Sequence, residues 1–252
     1  MAYPILNPQY KNTALASSCA LAVMAKAPRP GKVKTRLSPP LTLEQSAALN
    51  ICFLRDTTLN IADVTARGAA SGLVCYTPIG EESAFDGLLP EGFALIPQRG
   101  DSLGEWLHAA SEDILACGFG AVCLIDSDSP TVPADAFNEA IELLNRPGDR
   151  IVLGGSNDGG YYLIGLKTPH REPFTGIHWS TSTVYIETVS AIREARIELA
   201  ELPIWYDVDD SETLNLLRDE LLGGKALPFA KVPGYPAPHS REFIRHFFGV
   251  SE

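Results

Sequence analysis

Long apolar runs are missing from this chain of 252 residues. Nothing approaches the ~18–20 consecutive apolar residues that a membrane-spanning helix needs, so no transmembrane segment is expected. A Cys-x-x-Cys pair is also missing, and the five cysteines (Cys19, Cys52, Cys75, Cys117, Cys123) are odd in number. Three of them lie in apolar runs, which predicts reduced, buried thiols in a cytoplasmic protein. There is no excess of positive charge: the net charge is −11 and the isoelectric point about 4.9, which argues against nucleic acid as a partner. No Ser-His or Cys-His constellation is evident, and the lone His178 reads as structural. Internal repeats, low-complexity tracts and domain linkers are absent too. Leu15-Ala-Ser-Ser-Cys19 has the look of a lipoprotein cleavage site, but residues 1–14 lack the basic start and apolar stretch of a signal peptide. Residues 1–18 are expected to form a loose leader.

What the chain does have is organised around Gly120-Ala-Val-Cys-Leu-Ile-Asp-Ser-Asp-Ser-Pro130. Ala121–Ile125 reads as a strand buried on both faces, ending in Asp126 and Asp128 with Pro130 stopping it. Carboxylates at the carboxyl end of a central strand sit where open α/β sheets place their ligands. Asp-x-Asp is also a natural seat for Mg²⁺. The alternative is a polar turn whose aspartates cap a helix at Pro133–Asn145. On spacing alone the two readings stay level.

The basic residues are unevenly placed. Lys26, Arg29, Lys32, Lys34 and Arg36 crowd into Lys26-Ala-Pro-Arg-Pro-Gly-Lys-Val-Lys-Thr-Arg-Leu37, directly after the first expected strand, Cys19–Ala25. Pro28, Pro30 and Gly31 forbid regular structure there. Five cations without neighbouring acids repel one another. The loop therefore reads as a cradle for phosphate oxygens met by Lys26, Lys34 and Arg36.

Further strands are expected at Gly72–Thr77, Phe93–Pro97, Arg150–Gly154, Tyr161–Leu166 and Glu198–Tyr206. Helices are expected at Leu43–Val64 (with Thr42 as its N-cap), Ser102–Cys117, Thr181–Arg196, Ser211–Leu222 and Arg241–Phe248. Gln98-Arg-Gly-Asp-Ser-Leu-Gly104 offers an amide for reading a base edge and two glycines for close approach, or equally a turn that caps a helix. Asp158-Gly-Gly160 predicts a tight turn, one plausible geometry being a β-hairpin. Asp207 and Asp209 again follow a strand, with Asp210 or Ser211 as a helix cap. Strands alternating with helices predict one α/β sandwich. Residues 19–222 form the domain, and the Gly- and Pro-rich 223–252 wraps round it and ends in a short helix.

Taken together, Lys26-Ala-Pro-x-Pro-Gly-x-Val-Lys-Thr-Arg-Leu37, Asp158-Gly-Gly-Tyr-Tyr-Leu-Ile-Gly165 and Asp207-Val-Asp209 resemble the nucleotide-diphospho-sugar transferase superfamily. More narrowly, the chain is similar to the radical-SAM/selenodomain-associated transferases, relatives of 2-phospho-L-lactate guanylyltransferase. The resemblance implies a glycosyltransferase-A-like (Rossmann-like) three-layer sandwich with a mainly parallel central sheet. It makes Lys34 and Arg36 triphosphate-loop residues beside Gly31, and Gln98, Gly100 and Gly104 the nucleobase segment. Asp128 becomes the principal metal ligand and Asp209 the second, with Asp126 and Asp207 as further carboxylates; Asp158, Gly159, Gly160 and Trp179 join the substrate site. The cofactor implied is Mg²⁺, or Mn²⁺ in its place.

The expected activity is nucleotidyl transfer from an NTP to a small phosphorylated or phosphonylated acceptor, which needs no strong general base. Glycosyl transfer from an NDP-sugar is the rival, and a non-catalytic nucleotide-binding protein the third reading. The partners are a nucleotide and a small-molecule acceptor, with no nucleic acid and no membrane; homodimer formation is left open.

Overall fold

In β1 (Cys19–Lys26) the side chains of Cys19, Leu21, Val23 and Ala25 enter one core cluster, while Ala20 and Ala22 enter another. In β4 (Ala121–Ile125), beside it, Ala121, Cys123 and Ile125 join the first cluster and Val122 and Leu124 the second. Such alternation into two apolar layers is the mark of a strand covered on both faces, and it dictates helices on either side of the sheet. The computed structural model describes residues 3–66, 68 and 70–249.

The remaining elements are α1 (Leu43–Thr65), β2 (Ala70–Thr77), β3 (Ala94–Pro97), α2 (Leu103–Ala116), α3 (Ala134–Asn145), β5 (Arg150–Ser156), β6 (Tyr161–Leu166), α4 (Val184–Glu194), β7 (Glu198–Trp205), α5 (Ser211–Gly223) and α6 (Pro238–Phe247). The sheet has seven strands in the order β3-β2-β1-β4-β6-β5-β7. Only β6 runs against its neighbours, pairing antiparallel with both β4 and β5. The first core cluster includes Phe53 of α1, Phe137 of α3, Leu217 of α5 and Ile244 of α6; the second includes Leu107 and Ile114 of α2 and Ile192 of α4. The result is the expected three-layer sandwich with a mainly parallel sheet. The segment ahead of β1 runs beside β3, with the Leu6 amide donating to the Leu95 carbonyl and the Leu95 amide to Pro4, both at 2.8 Å. Among the described residues no helix is long and apolar enough to cross a membrane.

Several boundaries differ from expectation for local reasons. The helix expected at Thr181–Arg196 is shorter at both ends. Thr181 Oγ1 donates to the His178 carbonyl and accepts from the Thr183 amide, a turn that competes with helix. At the other end Arg196 is left-handed, with φ 58°. The helix expected from Arg241 starts earlier, at Pro238, because Asp56 of α1 accepts the His239 and Ser240 amides at 2.9 and 2.7 Å. Asp126 and Asp128 do not cap α3, since Pro133 holds the cap position without any side-chain bond. Asp210 caps α5, accepting the Glu212 and Thr213 amides.

Candidate active site

Parallel strands bring their carboxyl ends to one edge of the sheet, and the carboxylate loops after β4 and β7 meet there. Their backbones are joined directly: the Val208 amide donates to the Asp128 carbonyl at 3.0 Å. The loop after β1 enters from the side. Lys34 adopts a left-handed conformation (φ 47°), after which Thr35–Leu37 makes a single 3-10 turn. That turn aims the Lys34 side chain inward, where its Nζ lies 2.9 Å from Asp128 Oδ1, 2.8 Å from Asp209 Oδ1 and 2.8 Å from the Val208 carbonyl. Arg36 reaches the other oxygen of Asp209, Oδ2, from the solvent side. Asp128 and Asp209, 81 positions apart (209 − 128), thus converge on one point.

The Lys34 side chain is only 5% exposed. Burial pulls its pKa down, but the charges of Asp128 and Asp209 outweigh that and hold it above the usual lysine value. Neighbouring carboxylates feel the opposite stress. Burial, then the charges of Asp128 and Asp207, push Asp126 well above the ordinary aspartate range. Burial, then Asp158 and Asp209, push Asp207 up to about 6. Asp126 is turned into its own loop, accepting from Ser129 Oγ at 2.7 Å, so it shapes the turn that presents Asp128.

Two recesses meet at Asp128 and Asp209. The smaller, 240 Å³, is lined by Lys26, Lys32, Lys34, Arg36 and the α1 residue Asn50. The larger, 450 Å³, is walled by Met24, Leu103, Leu107, Tyr161 and Trp179, with Asp158, Gly160 and Ser180–Ser182 at its polar side. Gly159 (φ +95°) lets that segment lie close, because a Cβ there would stand 2.1 Å from the Ser182 carbonyl oxygen. Asp158 tightens the same turn by accepting the Gly160 amide at 2.8 Å.

Lys26, Lys34, Arg36, Asp126, Asp128, Asp158, Gly160, Trp179 and Asp209 are therefore brought together around the two recesses. Others are not. Gln98 is buried, and its amide donates to the Cys75 carbonyl at 2.6 Å between strand ends, so it lines neither recess. Gly104 packs under the Phe174 carbonyl and the Trp179 indole, and with Gly100 it lines a separate 610 Å³ hollow that shares Trp179. Gly31 (φ +70°) shapes the basic loop without lining either recess. Asp207 lines neither recess and accepts weakly from Ser156 Oγ at 3.4 Å.

The basic loop also has more acidic partners than its sequence suggests. Arg29 pairs with Glu81, and Lys34 and Arg36 with the two aspartates. Of the loop's five cations, Lys26 and Lys32 have no ion pair among the described residues. Residues that sequence reasoning missed include Asn50 and Thr131. Asn50 was legible only as a polar residue on a helix with an apolar stripe. Thr131 gave no signal, yet its Oγ1 accepts from Trp205 Nε1 at 3.1 Å and its carbonyl from the Tyr235 amide at 2.8 Å.

The donor set suits a hard divalent cation of one kind. Among the described residues no group of three or more His, Cys, Asp or Glu side chains could hold a metal by itself. Two carboxylates sharing a cation with substrate phosphates is, however, an ordinary arrangement for Mg²⁺, and Asp128 and Asp209 provide it.

Comparison with known proteins finds relatives by sequence and by fold. The family model described as "Uncharacterized protein conserved in bacteria (DUF2064)" matches residues 60–181. A protein from Desulfovibrio desulfuricans G20, provisionally named a nucleotide-diphospho-sugar transferase, is 30% identical, with 92% of this chain and 98% of that one covered and a TM-score of 0.73. CMP:2-keto-3-deoxy-manno-octonic acid synthetase complexed with CTP shares the fold at 11% identity, covering 83% of this chain and 100% of that one, TM-score 0.53. A cytidylyltransferase from Leptospira borgpetersenii shares it at 10% identity, covering 92% and 95%, TM-score 0.50. Comparison with curated proteins yields no match.

Proposed function

The chain belongs to the DUF2064 family of the nucleotide-diphospho-sugar transferase superfamily, and from that premise we propose that it is a nucleotidyltransferase, moving a nucleotidyl group from an NTP to a small phosphorylated or phosphonylated acceptor. The observation that carries this reading is the meeting of two unlike recesses at Asp128 and Asp209. The cationic recess suits phosphate groups, which Lys26, Lys32 and Arg36 can meet with charge-assisted hydrogen bonds. The larger recess, with its aliphatic and aromatic walls, suits the bulkier organic part of a substrate.

In the proposed reaction an acceptor phosphate oxygen attacks the α-phosphorus, a new P–O bond forms, and the α–β bridging bond breaks to release pyrophosphate. The attacking oxygen is already anionic, so the residues need to position and neutralise and no strong base is required. A divalent cation held by Asp128 and Asp209, Mg²⁺ or Mn²⁺, would supply Lewis-acid neutralisation of phosphate oxygens. Glycosyl transfer from an NDP-sugar is a second reading, favoured by one observation: the Lys34 N–H groups already have protein acceptors, leaving fewer cations for a third phosphate. Incubating the protein with each NTP, Mg²⁺ and a panel of phosphorylated acceptors should release pyrophosphate. NDP release from an NDP-sugar, with no pyrophosphate from any NTP, would promote the second reading. Binding without either release would leave a nucleotide-binding protein.

A further inference from the structure

An ammonium group has three N–H donors. In Lys34 two of them go to Asp209 Oδ1 and the Val208 carbonyl, both at 2.8 Å, and Asp128 Oδ1 stands 2.9 Å away as an ion-pair partner. The group is nearly closed off from solvent, and its charge also sits 5.8 Å from the Phe53 ring centroid. This geometry turns the ammonium toward protein acceptors and not toward an incoming phosphate, although the position in the basic loop suggests that role. Lys34 occupies instead the point where two metal-competent carboxylates converge. Mg²⁺ binds oxygen at about 2.0–2.1 Å, so an ion held by these same oxygens would compete with the ammonium for their lone pairs and stand close against its charge.

We infer that Lys34 is the resident cation of this site: it pre-positions Asp128 and Asp209, and it must be drawn away before a divalent cation can bridge them. The inference rests on the transferase reading above and adds an order to it. Phosphate oxygens arriving in the cationic recess offer Lys34 new acceptors within the same neighbourhood, so the metal enters with the phosphates and not ahead of them. Without phosphates, the ion would have to displace a buried ammonium from both of its carboxylate partners with no new acceptor to receive it.

Two measurements test this without any turnover. Mn²⁺ binding, followed by electron paramagnetic resonance, should be weak for the wild type alone and at least about tenfold tighter for Lys34→Met. A tenfold change corresponds to about 1.4 kcal/mol. Asp128→Asn in the Lys34→Met background should remove the gain. Equal Mn²⁺ affinity in wild type and Lys34→Met would overturn the inference. The second measurement uses the wild-type protein, and so survives any folding defect of the variant. The NMR signal of the protected Lys34 ammonium should persist in millimolar Mg²⁺ and shift or vanish when Mg²⁺ is added with inorganic pyrophosphate. Loss of the signal in Mg²⁺ alone, or its persistence with both, would likewise overturn it. Absence of transferase activity with every donor would remove the functional reading while leaving these metal-binding results intact.

Discussion

The Asp128 carbonyl accepts the Val208 amide at 3.0 Å, so the loops after β4 and β7 are joined through their backbones and not only by their charges. The two carboxylates at the centre of the site therefore have a frame that outlasts changes to either side chain. Asp128→Asn and Asp209→Asn should keep the fold but melt below wild type, because each takes one of the two carboxylates that neutralise the buried Lys34 ammonium. Turnover should fall about a hundredfold or more, since several kcal/mol of charge stabilisation are lost. Circular dichroism and a product-release assay check both halves. Wild-type rates in either variant would reduce that aspartate to a turn residue.

The cationic recess should discriminate by phosphate count. Lys26→Ala, Lys32→Ala and Arg36→Ala each remove a charge-assisted bond worth about 1–3 kcal/mol, so each should weaken NTP binding about tenfold. A nucleoside monophosphate should bind almost unchanged. Titrating NMP, NDP, NTP and NDP-sugar against each variant decides between the two transferase readings: equal losses for NDP and NTP would favour the NDP-sugar.

Thr131 offers a test of the support behind Asp128. Thr131→Val keeps the shape but removes the acceptor for Trp205 Nε1, leaving a buried indole N–H without its partner. The cost should be about 1–3 kcal/mol, or roughly 2–12 °C in melting temperature for a domain of this size. Differential scanning calorimetry reads it, and turnover should drop as well because Thr131 lies three residues from Asp128.

Asp56 makes a pH-dependent prediction. Burial raises its pKa above the ordinary aspartate value, outweighing the hydrogen bonds from Ser240 and His239 that lower it. The folded state then holds this proton more firmly than the unfolded chain. The contribution of Asp56 to stability is greatest below its unfolded pKa and declines as pH rises through the folded one. Urea unfolding of Asp56→Asn, which cannot titrate, should show its stability improving relative to wild type across that rise. Asp56→Ala, which abandons the two α6 amides, should lose about 1–3 kcal/mol at neutral pH. A wild type that gained on Asp56→Asn with rising pH would reverse the sign.

Gly159→Ala should damage the larger recess. The residue has φ +95°, and a Cβ would stand 2.1 Å from a backbone oxygen, so the Ser180–Ser182 segment must move away. Substrate affinity should fall more than stability, as measured by KM beside melting temperature. Unchanged KM would exclude this segment from the site.

Much of the molecule follows from sequence alone because its causes are local or periodic. Doubly apolar runs such as Ala121–Ile125 have to be central strands, and Thr42, with Gln45 three residues on, had to cap a helix: the Gln45 amide donates to Thr42 Oγ1 at 3.2 Å, and the Thr42 amide to Gln45 Oε1 at 2.8 Å. The motif residues Asp128, Asp158 and Asp209 each announce themselves at the end of a strand. What each side chain does there was decided by tertiary structure. Lys34 and Asp209 are 175 positions apart, and no local pattern says that the lysine turns inward to bridge two carboxylates when it could have faced a phosphate. Gln98 looked like a base reader until the pairing of β1 with β2 placed two strand-end carbonyls within reach of its amide, Cys75 at 2.6 Å and Ala25 at 3.5 Å. The start of α6 depended on Asp56, a carboxylate 183 residues away. Hydrogen-bond valence is limited, and which partner fills it is a question of distance in space, which only the folded chain sets.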